Sequence, residues 1–215
     1  MLFTGVLPSI SCGGPAFVAR YNSLRSDPYP LDELDRDIAP EAGVECPEIE
    51  LVIYRGETLR YDPPARVTPP FRERLERLER VVSGVATRIY GRAPRSIRNA
   101  GAYSCRSVRH RSYRLSEHAL GNALDIVGFR FPAAPADALL PPEVPAALRR
   151  AFDVDLVRAW KSDDPADPHR RFTVELFRAL EAERVFRAML GPGHEAHRDA
   201  GHFHVDCGPW PVVQL

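Results

Sequence analysis

Two short stretches of the sequence concentrate the side chains able to bind a metal or move a proton. In the first, Ser116-Glu117-His118-Ala119-Leu120-Gly121-Asn122-Ala123-Leu124-Asp125, a histidine and a carboxylate are separated by a Gly121-Asn122 turn signal that can bring both to one point. Asp125 lies between Ala123-Leu124 and Ile126-Val127, and a carboxylate in so apolar a strand must find a partner or bear a large desolvation penalty. In the second, Gly201-His202-Phe203-His204-Val205-Asp206, the two histidines are two apart, so an extended segment turns both imidazoles to one face. One imidazole can then bind a metal while its neighbour handles protons. His118, Asp125 and His204 together offer two nitrogens and one oxygen, a mixture that suits zinc better than magnesium or calcium. From spacing alone, metal binding is evenly balanced against surface histidines or a hydrogen-bonded pair.

These residues need elements to position them. Apolar residues Phe71, Leu75, Leu78, Val82, Val85 and Ile89 keep helical spacing after Pro69-Pro70, with Thr68 as cap and Gly91 just beyond the end. The charged residues between them, Arg72 to Arg80 and including Glu79, read as a solvated face laced by i,i+3 and i,i+4 pairs. A second helix is predicted over Thr173 to Leu190, closed by Gly191-Pro192-Gly193, and a third over Pro145 to Trp160. Glu50 to Tyr54 and Leu59 to Tyr61 read as a hairpin turned at Arg55-Gly56, and Ala123 to Phe129 and His202 to Val205 as strands. Segregated helices and short strands predict an α+β domain with a small antiparallel sheet flanked by helices. Residues 1–45 read as an arm and 46–215 as the domain.

Composition excludes several function classes. Lys+Arg and Asp+Glu are equal at 29 each, with arginine dispersed rather than massed, which argues against a nucleic-acid partner. No apolar run approaches the roughly 18 to 20 residues of a membrane helix. Four scattered cysteines, Cys12, Cys46, Cys105 and Cys207, rule out a close CxxC zinc or redox pair and favour at least one disulfide. The first dozen residues, short for a secretory signal, read as a clipped or misassigned start, as a poor lipoprotein-type signal ending at Cys12, or as an ordinary N-terminal segment.

Beyond these features, SEHALGNALD resembles the SxHxxGxAxD motif of zinc D-Ala-D-Ala carboxypeptidases, dipeptidases and peptidoglycan endopeptidases, a group related to the hedgehog signalling domain, and HFH resembles its second motif. With Gly101-Ala102-Tyr103-Ser104-Cys105-Arg106, Trp160 and the stretch from Leu190 to Asp206, residues 46 to 207 look like the bacterial extensin-like C-terminal domain. The resemblance implies that His118, Asp125 and His204 ligate zinc. It also implies that His202 is the unligated general base or transition-state donor, and that Arg106 contacts substrate and polarises the scissile carbonyl. Another branch of the group carries a glutamate where this chain has Gly201, so His202 must take that part. Ser116 and Asp199 are expected to support the ligands by hydrogen bonds. Glu117 is assigned to structure or solvent, His194 and His197 to the rim, and His110 and His169 to the exposed surface.

The function so implied is zinc-dependent hydrolysis of a peptide bond in peptidoglycan or a related cell-wall peptide, at the cell envelope, in the periplasm or outside the cell. The alternative is a catalytically silent, zinc-containing envelope binding or scaffolding module, because a fold does not by itself deliver an activity. Zinc hydrolysis of a non-wall amide is a chemically equivalent third reading.

Overall fold

Helix α1, Pro69–Tyr90, forms as its apolar spacing predicts. The computed structural model describes residues 28–39 and 43–215, and the readings of the N-terminal segment and of Cys12 lie outside them. Two prolines open α1, where backbone N–H groups have no intrahelical acceptor in any case. Gly91 closes it at φ 71°, donating its N–H to the Thr87 carbonyl at 2.9 Å. Phe71, Leu75, Leu78, Val82, Val85 and Ile89 are buried. Thr68 occupies the N-cap position without capping through its side chain. Its N–H and Oγ1 both reach the Gly121 carbonyl, at 3.0 and 3.3 Å, and fasten the start of α1 to the turn that carries His118.

The charged face of α1 is not uniformly solvated, because Glu79 is 1% exposed. Its carboxylate accepts from the Tyr54 hydroxyl at 2.6 Å, from the N–H groups of Glu57, Thr58 and Leu59, and from Thr58 Oγ1. This explains why the expected hairpin does not form. The amides that would have begun a return strand are spent on Glu79, and Gly56, at φ 98°, bends the chain where a Cβ would lie 1.8 Å from the Leu59 carbonyl oxygen. Strand β1, Val52–Tyr54, has no pairing with β2, Arg60–Asp62; it pairs antiparallel with β3, Ala65–Val67, while β2 runs parallel to β4, Ser96–Gly101.

At the centre lies β7, Ala123–Phe131, longer than predicted. It pairs antiparallel with β4 along one edge. Its other edge is shared in succession by β10, Phe203–Asp206, and β8, Phe152–Asp155. Beyond β10 come β9, Ala188–Leu190, antiparallel to it, and β11, Val212–Gln214, parallel to β9. Helices and strands are mixed as expected, but the main sheet has seven strands and is not purely antiparallel.

Two helix predictions are corrected. The segment read as one helix over Pro145 to Trp160 is a 3₁₀ turn at Ala146–Arg149, strand β8 and a short helix α2, Leu156–Trp160. The helix read over Thr173 to Leu190 is α3, Pro168–Ala182, begun by Asp167 accepting from the His169 N–H. It stops because Arg184 takes φ 49° and sends the chain into β9, so the glycines at 191 and 193 end a strand. Helices α1 and α3 pack together over the sheet. Phe203 on β10 is clamped by Phe177, stacked at 4.4 Å, and by Trp160 at 5.7 Å. His169, expected to be exposed, is half-buried with Nδ1 2.9 Å from the Tyr90 hydroxyl, whereas His110 is exposed.

Residues of the described part of the arm and of the segment just after it pack beside the turn that carries His118. Leu34, Ile38, Cys46 and Ile49 pack on Leu115, Ala119 and Leu120, and Cys46 is disulfide-bonded to Cys105. Cys207 is a buried free thiol. No helix among the described residues is long and apolar enough to cross a membrane.

Candidate metal centre

His118 sits in a single 3₁₀ turn, Glu117–Leu120, with every flank fixed. Ser116 Oγ accepts from the His118 backbone N–H at 3.3 Å. Gly121 ends the turn at φ 56°, where a Cβ would lie 2.4 Å from the Leu51 side chain. Asn122, fully buried, donates to Glu117 Oε2 at 2.7 Å and accepts from the Tyr29 hydroxyl at 2.9 Å. Glu117 completes this layer through Arg36 at 2.6 Å. Burial raises the Glu117 carboxyl, and Arg36 works against that rise. The Glu117 carboxylate is thus engaged by Arg36 and Asn122.

Asp125 and His204 meet by sheet register, as directly opposed residues of β7 and β10. His118 Nε2 lies 3.2 Å from Asp125 Oδ1 and 3.2 Å from His204 Nδ1, and His204 Nδ1 lies 3.0 Å from Asp125 Oδ1. The other ring nitrogens fix the tautomers. His118 Nδ1 lies 2.6 Å from the Ala102 carbonyl oxygen, which can only accept, so Nδ1 carries the proton and Nε2 presents a lone pair. His204 Nε2 lies 2.8 Å from Asp206 Oδ2, so its proton is there and Nδ1 presents the lone pair. Asp206 is held in turn by the Gly208 N–H at 2.8 Å.

Three electron pairs thus converge in a place where His118 and His204 are buried. These three residues could hold a metal ion between them. The electrostatics say the same of a proton, the simplest cation. Burial works to lower the His204 pKa, but the hydrogen bonds to Asp125 and Asp206 outweigh it and lift it to about 9. Burial likewise opposes ionisation of Asp125, yet His118 and His204 hold its carboxyl far below the usual range.

His202 stands just before β10 with Nε2 3.4 Å from Asp125 Oδ2, so both members of the His-Phe-His pair face the same carboxylate. Burial pushes its pKa down, with the charges of His204 and Arg106 acting the same way and Asp125 opposing. Arg106 is exposed at the edge of the site. Asp199 is exposed in the loop before β10, and the carboxylate that orients an imidazole is Asp206. Its place two residues beyond His204 on the same strand was the signal that could have found it. His197, read as a rim residue, has its ring 5.5 Å from that of His204 and 5.8 Å from that of His202, with His194 5.6 Å further out. Burial pulls the His197 pKa to about 4. The Nδ1 atoms of His194 and His197 are buried without a hydrogen-bond partner among the described residues.

No curated protein and no solved structure matches the chain. A family model described as "Extensin-like protein C-terminus" matches residues 32–139. That span begins within the arm, includes the turn that presents His118 and runs through all of β7 with Asp125. It covers half of the 215 residues, and the chain belongs to the extensin-like protein C-terminus family.

Proposed function

We propose that this chain is a zinc-dependent hydrolase that cleaves a peptide bond in peptidoglycan or a related cell-wall peptide. One observation carries the reading: His118 Nε2, His204 Nδ1 and Asp125 Oδ1 lie 3.0–3.2 Å from one another with their lone pairs turned inward. Tetrahedral bonds of about 2.0–2.1 Å space their ligand atoms roughly 3.3 Å apart, so the set fits zinc with small adjustment. Two nitrogens in three donors weigh against magnesium and calcium. Zinc bound there supplies a Lewis acid for a carbonyl and brings the pKa of water towards about 7.

The chain's own residues would do the rest. Ala102 and Asp206 fix the two imidazoles in the ligating tautomer. His202, kept neutral by burial, can take a proton at Nε2 beside Asp125 and return it to the departing amine. Arg106 offers a permanent positive charge near His202 for the oxygen that gains negative charge. The substrate class rests on the resemblance of SEHALGNALD and HFH to the zinc peptidase motifs. The Cys46–Cys105 disulfide suits an envelope, periplasmic or secreted location.

Elemental analysis of the purified chain, paired with a muropeptide digest, tests the reading. About one zinc per chain and release of peptide products are expected, with both lost in His118→Ala and Asp125→Ala. Turnover that survives in those variants overturns the mechanism. A metal-loaded chain that binds sacculi and releases nothing across a panel of wall fragments is the silent binding module instead.

A further inference from the structure

A small arginine-rich hairpin lies next to the turn that carries His118. Between Tyr103 and Leu115 the sequence holds Arg106, Arg109, Arg111, Arg114 and His110 and no acidic residue, in a chain whose formal net charge is zero. This segment folds as β5, Ser107–Val108, and β6, Arg111–Leu115, paired antiparallel. Several arginines elsewhere are matched: Arg72 and Arg171 by glutamates one turn along their helices, and Arg36, Arg130 and Arg187 by carboxylates across the fold. Arg106, Arg109 and Arg111 are exposed, and none has a carboxylate partner among the described residues.

The base of the hairpin is rigid. Cys105 is tied to Cys46. The Ile38 N–H donates to the Tyr113 carbonyl at 2.8 Å, and the Leu115 N–H donates to the Arg36 carbonyl at 2.7 Å. Arg114 lies flat on Trp210, 3.1 Å from the ring centroid. The acidic groups Asp35 and Asp37 lie exposed along this base. The tip, Arg109-His110-Arg111, turns through His110 at φ 64° into solvent. The hairpin's base is joined to the site: the Ser104 N–H donates to the His118 carbonyl and the Ser116 N–H to the Arg106 carbonyl, each at 3.1 Å. Tyr113, 57% exposed, adds an aromatic surface on the same strand.

We infer that the β5–β6 hairpin is a clamp for a carboxylate-bearing polymer, holding its negative groups on Arg109 and Arg111 while the adjoining bond lies at the metal centre. Unpaired guanidinium forks on a fixed base are preorganised for carboxylates, and a positive rim draws in an anionic chain. The identity of that polymer as a wall peptide rests on the function proposed above; the charge preference does not.

The test is co-sedimentation of the full-length chain with purified sacculi. Native sacculi are compared with sacculi whose carboxylates have been converted to amides by carbodiimide and ammonia. Arg109→Gln/Arg111→Gln should bind native sacculi about tenfold more weakly at low salt, the sum of two exposed charge contacts. It should bind amidated sacculi as the wild type does, and Arg109→Lys/Arg111→Lys should recover most of the loss. Unchanged binding to native sacculi, or an equal loss on both preparations, overturns the clamp. Binding requires no turnover, so the same measurement in a His118→Ala background separates the two ideas. Charge-selective binding without hydrolysis in the wild type removes the proposed function and keeps the clamp. Hydrolysis with charge-blind binding removes the clamp alone.

Discussion

Two carboxylates in this molecule, Glu79 buried and Asp125 half-buried, have opposite surroundings. Glu79 on α1 is enclosed by donors from its own chain: a tyrosine hydroxyl, a threonine hydroxyl and three consecutive backbone N–H groups. Asp125 on β7 faces two imidazole nitrogens whose protons are turned outward, towards Ala102 and Asp206. The first carboxylate is satisfied by folding; the second shares its Oδ1 with two imidazole nitrogens in an arrangement that could hold a cation. Burial alone does not distinguish a structural acid from a functional one. The direction in which the surrounding protons point does.

The sharpest way to break this contrast is to substitute each acid and read stability and chemistry separately. Asp125→Asn should abolish zinc retention and peptide release while leaving a folded chain. Adding a chelator should lower the thermal midpoint of the wild type, since metal at a hundred times its Kd contributes about 2.7 kcal/mol, and should not move that of Asp125→Asn. A chelator effect of equal size in both would show that Asp125 is not a ligand. Glu79→Gln should do the reverse. Turning an amide NH₂ against the donors of residues 57–59 should cost about 3 kcal/mol in urea unfolding, with zinc stoichiometry unchanged. A loss below about 0.5 kcal/mol would mean that the loop rearranges freely around the substituted side chain.

A smaller effect tests how the lone pairs are aimed. Asp206→Asn keeps a hydrogen-bond acceptor but removes the charge behind His204 Nε2, so zinc affinity should fall about 10- to 100-fold in competition with a chromogenic chelator. Affinity equal to the wild type would place the orienting role elsewhere.

The site was more legible than the fold around it, and the reasons are local. His118, Asp125 and His204 lie in short motifs whose spacing survives folding, because a tight turn and a two-residue strand repeat fix side-chain direction by themselves. Helix α1 was readable for the same reason, its period being written in one uninterrupted segment. The hairpin was misread because Glu79 was assigned to solvent by residue type. Its phase, four residues after Leu75 and three before Val82, puts it on the buried stripe, and the chain from Gly56 to Leu59 then folds towards it. The boundary of α3 depended on Arg184 at positive φ and on the pairing of β9 with strands far along the chain. No local pattern announces either. His197 escaped for a similar reason, since the loop that carries it is brought against His202 and His204 only by the tertiary fold.

The contrast between sealed and open environments extends to two histidines and predicts the sign of a pH effect. His204, between two carboxylates, has its pKa raised, whereas His169, packed against Tyr90 and Phe152, has its pKa lowered chiefly by burial. A histidine whose folded pKa lies below its unfolded value of about 6.5 binds fewer protons in the native state. It therefore contributes stability that is complete above that unfolded value and is lost as pH falls towards the folded one. Urea midpoints of the metal-free chain should decline between about pH 7 and pH 5. His169→Gln should flatten part of that decline because glutamine has no proton to take up, while lowering stability modestly at neutral pH through loss of the Tyr90 contact. A variant whose midpoint follows the wild type in parallel across that range would show that His169 titrates equally in both states, and that aromatic burial does not set its charge.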